Sequence, residues 1–276
     1  MNALSCEFVD GVATLTMRRG EVRNALDMPL IRDFNLALDQ VQRAAGDVRA
    51  VVMTGSGGVF CSGVDLRSVD LSTAEARQRA HLAIRSSLDP LIIRLAEFRI
   101  PILSAVNGAA VGAGMSLALA ADIIVAAETA YFAPSFIKLG FVPDAGVIYN
   151  LARRIGGSRS LTSLMLAERI DALTAKAWGL AYDVVPDALV LPRTIDVART
   201  LAEGPARAIS KLRNLHAAAF NTTLRVHLND ERHAQEDALE SGECVEGVRA
   251  FFEKRAPRFR SSDGLGKIDH KDPTPR

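Results

Sequence analysis

The sequence is short of several things, and each shortage removes a class of function. Aromatic residues make up 5% of the 276, with one tryptophan and three tyrosines, too few for a platform on which nucleic-acid bases stack. Neither sign of charge is in excess: 33 Lys and Arg against 32 Asp and Glu leave a net charge of +1. Without a basic field, neither nucleic acid nor an anionic membrane surface is an expected partner. The three cysteines, Cys6, Cys61 and Cys244, are odd in number and far apart. They form neither a disulfide framework nor a zinc pattern, so no metal is expected and a reducing cytoplasm suits the chain. Long apolar runs are missing too, since the longest, residues 109–121, is too short to span a bilayer and ends at Asp122. The opening MNALSCEFVD lacks the basic start and apolar stretch of a signal peptide. A soluble, cytoplasmic protein is expected.

What is present is an ordinary globular balance, 49% hydrophobic and 24% charged, in a chain long enough to bury a sizeable core. Cys6, Phe8, Val12 and Leu15 flank Asp10-Gly11, which predicts a hairpin. Asp27, followed by Pro29, opens a helix with the apolar stripe Leu30, Phe34, Leu38 and Val41. Residues 50–53 read as a buried strand, 73–98 as a helix stopping before Pro101, and 102–106 as a second buried strand. A small-residue helix over 112–121 and a strand over 123–126 follow. Strands alternating with helices predict an α/β domain over residues 1–200. From about residue 189 the pattern is nearly all helical, which predicts a helical C-terminal subdomain over 201–260. Residues 261–276, polar and rich in Gly and Pro, are expected to be disordered. No repeat of the solenoid kind is visible.

Two glycine-rich segments stand out. The first, TGSGGVFCSGVDL (54–66), has no Gly-Lys-Ser/Thr and opens no helix with G-x-G-x-x-G, so it is no phosphate loop. In the second, VNGAAVGAGMSLALAADI (106–123), a strand leads through a turn to a helix beginning near Gly112, Ala113 and Gly114. With no bulky side chain there, a ligand can approach the free N–H groups of the first turn, where an oxygen gaining negative charge is stabilised. The alternative is that these glycines serve packing and turns only.

At these residues the sequence resembles the crotonase-like (enoyl-CoA hydratase/isomerase) family. FCSGVDL (60–66) fits the family's F-C-x-G-x-D-L loop, and residues 101–114 fit P-x-x-x-x-x-N-G-x-x-x-G-x-G. Asn24-Ala25-Leu26 fits N-A-L, residues 139–146 fit L-G-x-x-P-x-A-G, 178–185 fit W-G-L-x-x-x-V-V, and 250–255 fit the A-F-x-E-K-R ending. The resemblance implies an α/β spiral core of repeated ββα units with a helical C-terminal subdomain. It implies an acyl-CoA or enoyl-CoA thioester as substrate, no cofactor beyond that CoA, and a homotrimer or hexamer. It implies an oxyanion hole made by the backbone N–H groups of Val64 and Ala113. Ala25, Asp65, Leu66 and Arg67 would line the CoA path, Arg67 either as a phosphate partner or as a solvated surface arginine. Phe251 and Lys254 would approach the CoA adenine of a neighbouring subunit.

The side chains depart from the family's hydratase pattern. Hydratases hold a water between two glutamates; the matching positions here are Ser116 and Phe136, neither of which can act as a carboxylate base. One carboxylate remains, Asp144 in GFVPDAG, where isomerase-type members carry an acidic residue. The reading this supports is enoyl-CoA isomerisation, with Asp144 removing a proton and returning it to another carbon. The alternatives are a non-catalytic acyl-CoA binder and a hydratase with an atypical base. Asp144 has a second reading of its own, as the N-cap of a helix running through Leu151.

Other constellations carry less. His227 and Glu231 share a helical face, but His233 points away, so a solvated charged face is expected rather than a metal site. His81 reads as a surface histidine or a polar contact in the acyl pocket, Cys61 as a small buried residue, and Ser116 as a ligand contact or a packing residue. Leu212, Leu215, Phe220, Leu224, Val226, Leu228, Val248, Phe251 and Phe252 exceed what a small helical subdomain can hide.

Overall fold

The computed structural model describes residues 3–44 and 46–260, and the expected disordered tail lies outside them. The chain divides into two compact units, Met1–Thr200 and Leu201–Arg276. In the first, a six-stranded sheet has the order β1 (Leu4–Val9), β2 (Val12–Met17), β3 (Ala50–Gly55), β4 (Ile102–Val106), β6 (Ile123–Ala127), β9 (Asp183–Val185). A three-stranded sheet is built from β5 (Ala109–Val111), β7 (Tyr131–Ala133) and β8 (Ile170–Asp171). The β1–β2 hairpin is antiparallel, and β2, β3, β4, β6 and β9 then run parallel. Asp10 and Gly11 both have positive φ, 52° and 81°, as a two-residue turn matched to strand twist requires. Every residue of β3 and β4 is buried, as expected of parallel strands covered on both faces.

The helices of this unit are α1 (Met28–Arg43), α2 (Ala74–Ala96), α3 (Ala113–Leu119), α4 (Val147–Ile155), α5 (Gly157–Leu166), α6 (Ala172–Ala177) and most of α7 (Val190–Glu203). The α1 helix forms for the reasons its sequence gives: Asp27 accepts from the Leu30 N–H at 2.9 Å, and Leu30, Phe34, Leu38 and Val41 are fully buried. The second unit contains α8 (Ala206–Ala219), α9 (Leu224–Glu240) and α10 (Glu243–Phe252). Buried Glu243 ties it together, accepting from the N–H groups of Arg207 and Ala208 at 3.1 and 3.2 Å at the start of α8.

The cap reading of Asp144 is corrected by the structure. Helix α4 begins at Val147 with Gly146 as its N-cap, and no side chain caps it. The chain makes a turn first, with Ala145 and Gly146 at φ 49° and 76°, and only the Asp144 carbonyl meets the Val147 N–H, at 3.2 Å.

Candidate active site

The two glycine-rich segments meet. The loop after β3 pairs with β5: the Cys61 N–H donates to the Ala109 carbonyl at 3.0 Å, and the Val111 N–H to the Cys61 carbonyl at 2.9 Å. This brings Gly63 against the start of α3. A Cβ on Gly63 would stand 2.8 Å from the Val111 carbonyl oxygen and 3.4 Å from the Ala113 nitrogen, and its φ of +93° is one that L side chains rarely adopt. Leu26 clamps the following peptide from both sides, donating to the Gly63 carbonyl at 2.8 Å and accepting from the Asp65 N–H at 2.9 Å. Val64 lies between those two bonds, so its own N–H is left over. The Ala113 N–H, first in its helix, has no intrahelical acceptor. Among the described residues neither N–H has a protein partner. Two unpaired donors on segments packed against one another are what a hole for a developing oxyanion needs.

Residues around the hole hold it in shape. Asn24, fully buried at φ 53°, donates to the Ser56 and Val59 carbonyls at 2.9 and 2.7 Å and accepts from the Arg19 N–H at 2.9 Å. The Arg19 guanidinium pairs with Asp27 at 2.9 Å and Asp65 at 3.5 Å, and also donates to the Ala25 carbonyl. Asn107 joins the ends of β3 and β4, donating to the Gly55 carbonyl at 2.7 Å. Asn24 and Asn107 lie inside the quoted motifs, but their support of the loops was not read from the sequence. The available signal was an asparagine beside a turn, where its side chain bonds nearby backbone.

The residues assigned to chemistry lie on α3 or against it. The Phe136 ring edge lies 3.9 Å from where a Cβ on Gly112 would be. Ser116 is fully buried in α3, and its hydroxyl donates to the Asp144 carbonyl at 3.3 Å, so the hydroxyl joins α3 to the Asp144 turn. Asp144 is half-buried, and its Oδ1 is enclosed without a hydrogen-bond partner. Burial pushes its carboxyl above the ordinary aspartate value and the Asp89 charge adds to this, while its own backbone N–H and His81 pull it down. Asp89 and His81 both lie on α2, and Asp89 is absent from the residues singled out by sequence.

The remaining sequence-selected residues are placed as follows. Ala25 is buried and Leu66 exposed. The Asp65 carboxylate is engaged by its own loop, accepting from the Arg67 N–H, Nε and Nη2 at 3.2, 3.1 and 3.2 Å, which holds it below the usual carboxylate range. Arg67 is itself exposed at the loop surface. Cys61 is fully buried and its thiol is pushed up to about 12 by that burial, which makes it inert as a nucleophile. Val64 also lines a cavity of about 300 Å³ with Leu26, Met28, Ile31 and the α2 residues Ala80 and Leu88. Phe251, at the end of α10, is 77% exposed, and Lys254 follows at φ 53°. His227 pairs with Glu231 at 3.3 Å, and among the described residues no cluster of His, Cys, Asp or Glu could hold a metal ion. No described helix is long and apolar enough to cross a membrane.

Comparison with known proteins gives one answer. The family model for enoyl-CoA hydratase/isomerase matches residues 7–262. A protein of Rhodobacter capsulatus named "Probable enoyl-CoA hydratase" is 38% identical over 253 residues, 92% of this chain and 96% of its own. The 1,2-epoxyphenylacetyl-CoA isomerase of Escherichia coli is 34% identical over 249 residues, 90% of this chain and 95% of its own. Among solved structures, a protein of Mycobacterium abscessus described as "putative Enoyl-CoA hydratase/isomerase" superposes with a TM-score of 0.88 at 34% identity, covering 93% of this chain and 99% of that one.

Proposed function

The chain belongs to the enoyl-CoA hydratase/isomerase family, and from that premise we propose that it moves a double bond within an enoyl-CoA thioester. The N–H groups of Val64 and Ala113 receive the thioester oxygen, and Asp144 is the single acid/base. As the substrate loses a proton from carbon, negative charge passes to the thioester oxygen, and each hole donor stabilises that enolate by ~3 kcal/mol. Asp144 takes the proton and returns it to a different carbon, so the double bond migrates and nothing is added or lost. No water has to be positioned, which is consistent with Ser116 and Phe136 in place of two glutamates. The observation that carries this reading is the enclosed, unpartnered Oδ1 of Asp144, on a carboxyl that caps no helix. The name of the Escherichia coli relative, an isomerase of a CoA thioester, points the same way.

Hydration is the second reading, favoured by the name of the Rhodobacter capsulatus relative, and it requires another base. One screen separates the two. Purified protein is incubated with a panel of acyl- and enoyl-CoA thioesters, and products are followed by mass spectrometry: isomerisation leaves the mass unchanged, whereas hydration adds a water. Asp144→Asn is expected to keep thioester binding and to lower double-bond migration by at least ~10²-fold. Undiminished turnover in that variant would remove Asp144 from the chemistry.

A further inference from the structure

One guanidinium reaches both neighbours of the residue that clamps the Val64 peptide. That residue is Leu26, whose N–H goes to the Gly63 carbonyl at 2.8 Å and whose carbonyl receives the Asp65 N–H at 2.9 Å. Leu26 and Val64 form an isolated bridge rather than part of a ladder, so no adjoining strand pairs fix their register. The clamp is only as well placed as Leu26 itself. Leu26 follows a turn in which Arg23 and Asn24 take left-handed φ, 57° and 53°, a conformation that non-glycine residues keep only when their surroundings hold it. Arg19, two residues after β2, holds this turn with its backbone. Its carbonyl accepts from the Asn24 N–H at 2.8 Å, and its N–H donates to Asn24 Oδ1 at 2.9 Å. Its side chain then takes the residues on either side of Leu26. Nη1 donates to the Ala25 carbonyl, and Nη2 lies 2.9 Å from Asp27 Oδ2 and 3.5 Å from Asp65 Oδ2.

We infer that Arg19 is a positioning residue of the oxyanion hole, its guanidinium fork fixing Leu26 and, through Leu26, the Val64 N–H. This rests on the reading of the Val64 and Ala113 N–H groups as that hole. Arg67 also binds Asp65, but its side chain is 72% exposed, and a pair in open water holds little. The Arg19 side chain is only 18% exposed. Asp27 is engaged on its other oxygen by the Leu30 N–H at 2.9 Å, so one carboxylate both caps α1 and anchors the fork. The start of α1, the turn before it and the loop after β3 thus converge on one planar cation. Its charge pairs with the two carboxylates, while its second nitrogen reaches the Ala25 carbonyl at the same time. A lysine ammonium, a point charge on a flexible stem, lacks that fixed fork. The arrangement matters because a hole donor must meet the oxygen where charge develops, and a misplacement of about 1 Å can cost ~10²-fold.

The polarisation of a bound thioester reads the hole directly. Butyryl-CoA labelled with carbon-13 at the thioester carbon is bound to the full-length protein, and its C=O stretch is recorded by isotope-edited infrared difference spectroscopy. Hydrogen bonds to the oxygen lower that frequency, so wild type should show a red shift from the free thioester. Arg19→Lys keeps the charge and loses the fork, and its bound stretch should return toward the free value by roughly half the wild-type shift or more. Arg19→Met removes charge and fork and should abolish the shift, with Arg19→Lys deciding the matter should the Met variant fail to fold. A merely structural role would lower the melting temperature and leave the spectrum of the bound thioester as in wild type. Where turnover is found, kcat of Arg19→Lys should fall ~10- to 10²-fold with KM little changed. The full wild-type red shift in Arg19→Lys would overturn the proposal alone. A wild type that binds no butyryl-CoA, or binds it without a red shift, would overturn the hole and the proposal with it, so the two failures are distinct.

Discussion

Gly114 shows how one position can serve packing and chemistry together. A Cβ there would stand 2.2 Å from the Cys61 carbonyl oxygen, because the loop after β3 crosses directly over the start of α3. Backbone cannot withdraw as a flexible side chain can, so Gly114→Ala should lose ~3 kcal/mol or fail to fold, as read from its urea midpoint. An unshifted midpoint would show that the crossing is looser than described. At Ser116 and Phe136 the consequence is chemical. Wild type should hydrate a short 2-enoyl-CoA barely above background. Ser116→Glu with Phe136→Glu should raise that rate, and either change alone should do little, since a held water needs both partners. Ser116 is fully buried, so the double variant must first be shown to fold by thermal melt. Wild-type hydration at an ordinary enzyme rate would reveal a base elsewhere. The motif residues were legible because each has a backbone or charge requirement that leaves a local signature. Asp89 was not legible, since its relation to Asp144 exists only once α2 has packed.

The α3–α4 pair is the element on which the geometry depends. Helix α3 offers the Ala113 N–H at one end, and at the other half-buried Arg154 of α4 donates to the Leu119 and Ala121 carbonyls. The turn that carries Asp144 leads into that same α4, so one helix supports the carboxylate and secures the donor helix. Arg154→Ala leaves those carbonyls without their donor and should cost ~2 kcal/mol in chemical denaturation, with weaker thioester binding. Unchanged stability and affinity would show that α3 is held by its sheet contacts alone. The long elements were predictable from periodicity: α1 within a residue or two at its start, α2 within three at each end, and β3 and β4 as wholly buried strands. Strands β5, β7 and β8, of two or three residues each, were not, because so short a segment carries no period. They matter nonetheless, since pairing of residue 61 with β5 is what brings the two donors together.

At the scale of the molecule, the expected α/β crotonase-like architecture with its helical C-terminal region is the one the chain adopts. Sequence similarity carried that recognition, whereas the physical patterns alone reached only an α/β domain followed by helices. The second unit exposes Leu224, Phe251 and Phe252 by 74%, 77% and 76%, more bare apolar surface than an isolated helical unit keeps. A trimer or hexamer is the expected particle by light scattering at micromolar concentration, and a monomer would contradict it. Truncation after about Ala202 should give insoluble or monomeric protein.

The hole proposed for the thioester oxygen is built from peptide nitrogens, and this has a consequence for descent. Mutation exchanges side chains but leaves the peptide unit in place, so lineages can drift at Ser116, Phe136 and Asp144 and acquire new reactions while the anchor for the thioester is inherited intact. Where a side chain would strike backbone, as at Gly55, Gly63, Gly108 and Gly114, the fold that presents those nitrogens leaves no room for exchange. A saturation library of this chain, sorted for thioester capture and separately for turnover, should therefore give two maps: capture intolerant at the glycines, turnover intolerant at the carboxylate.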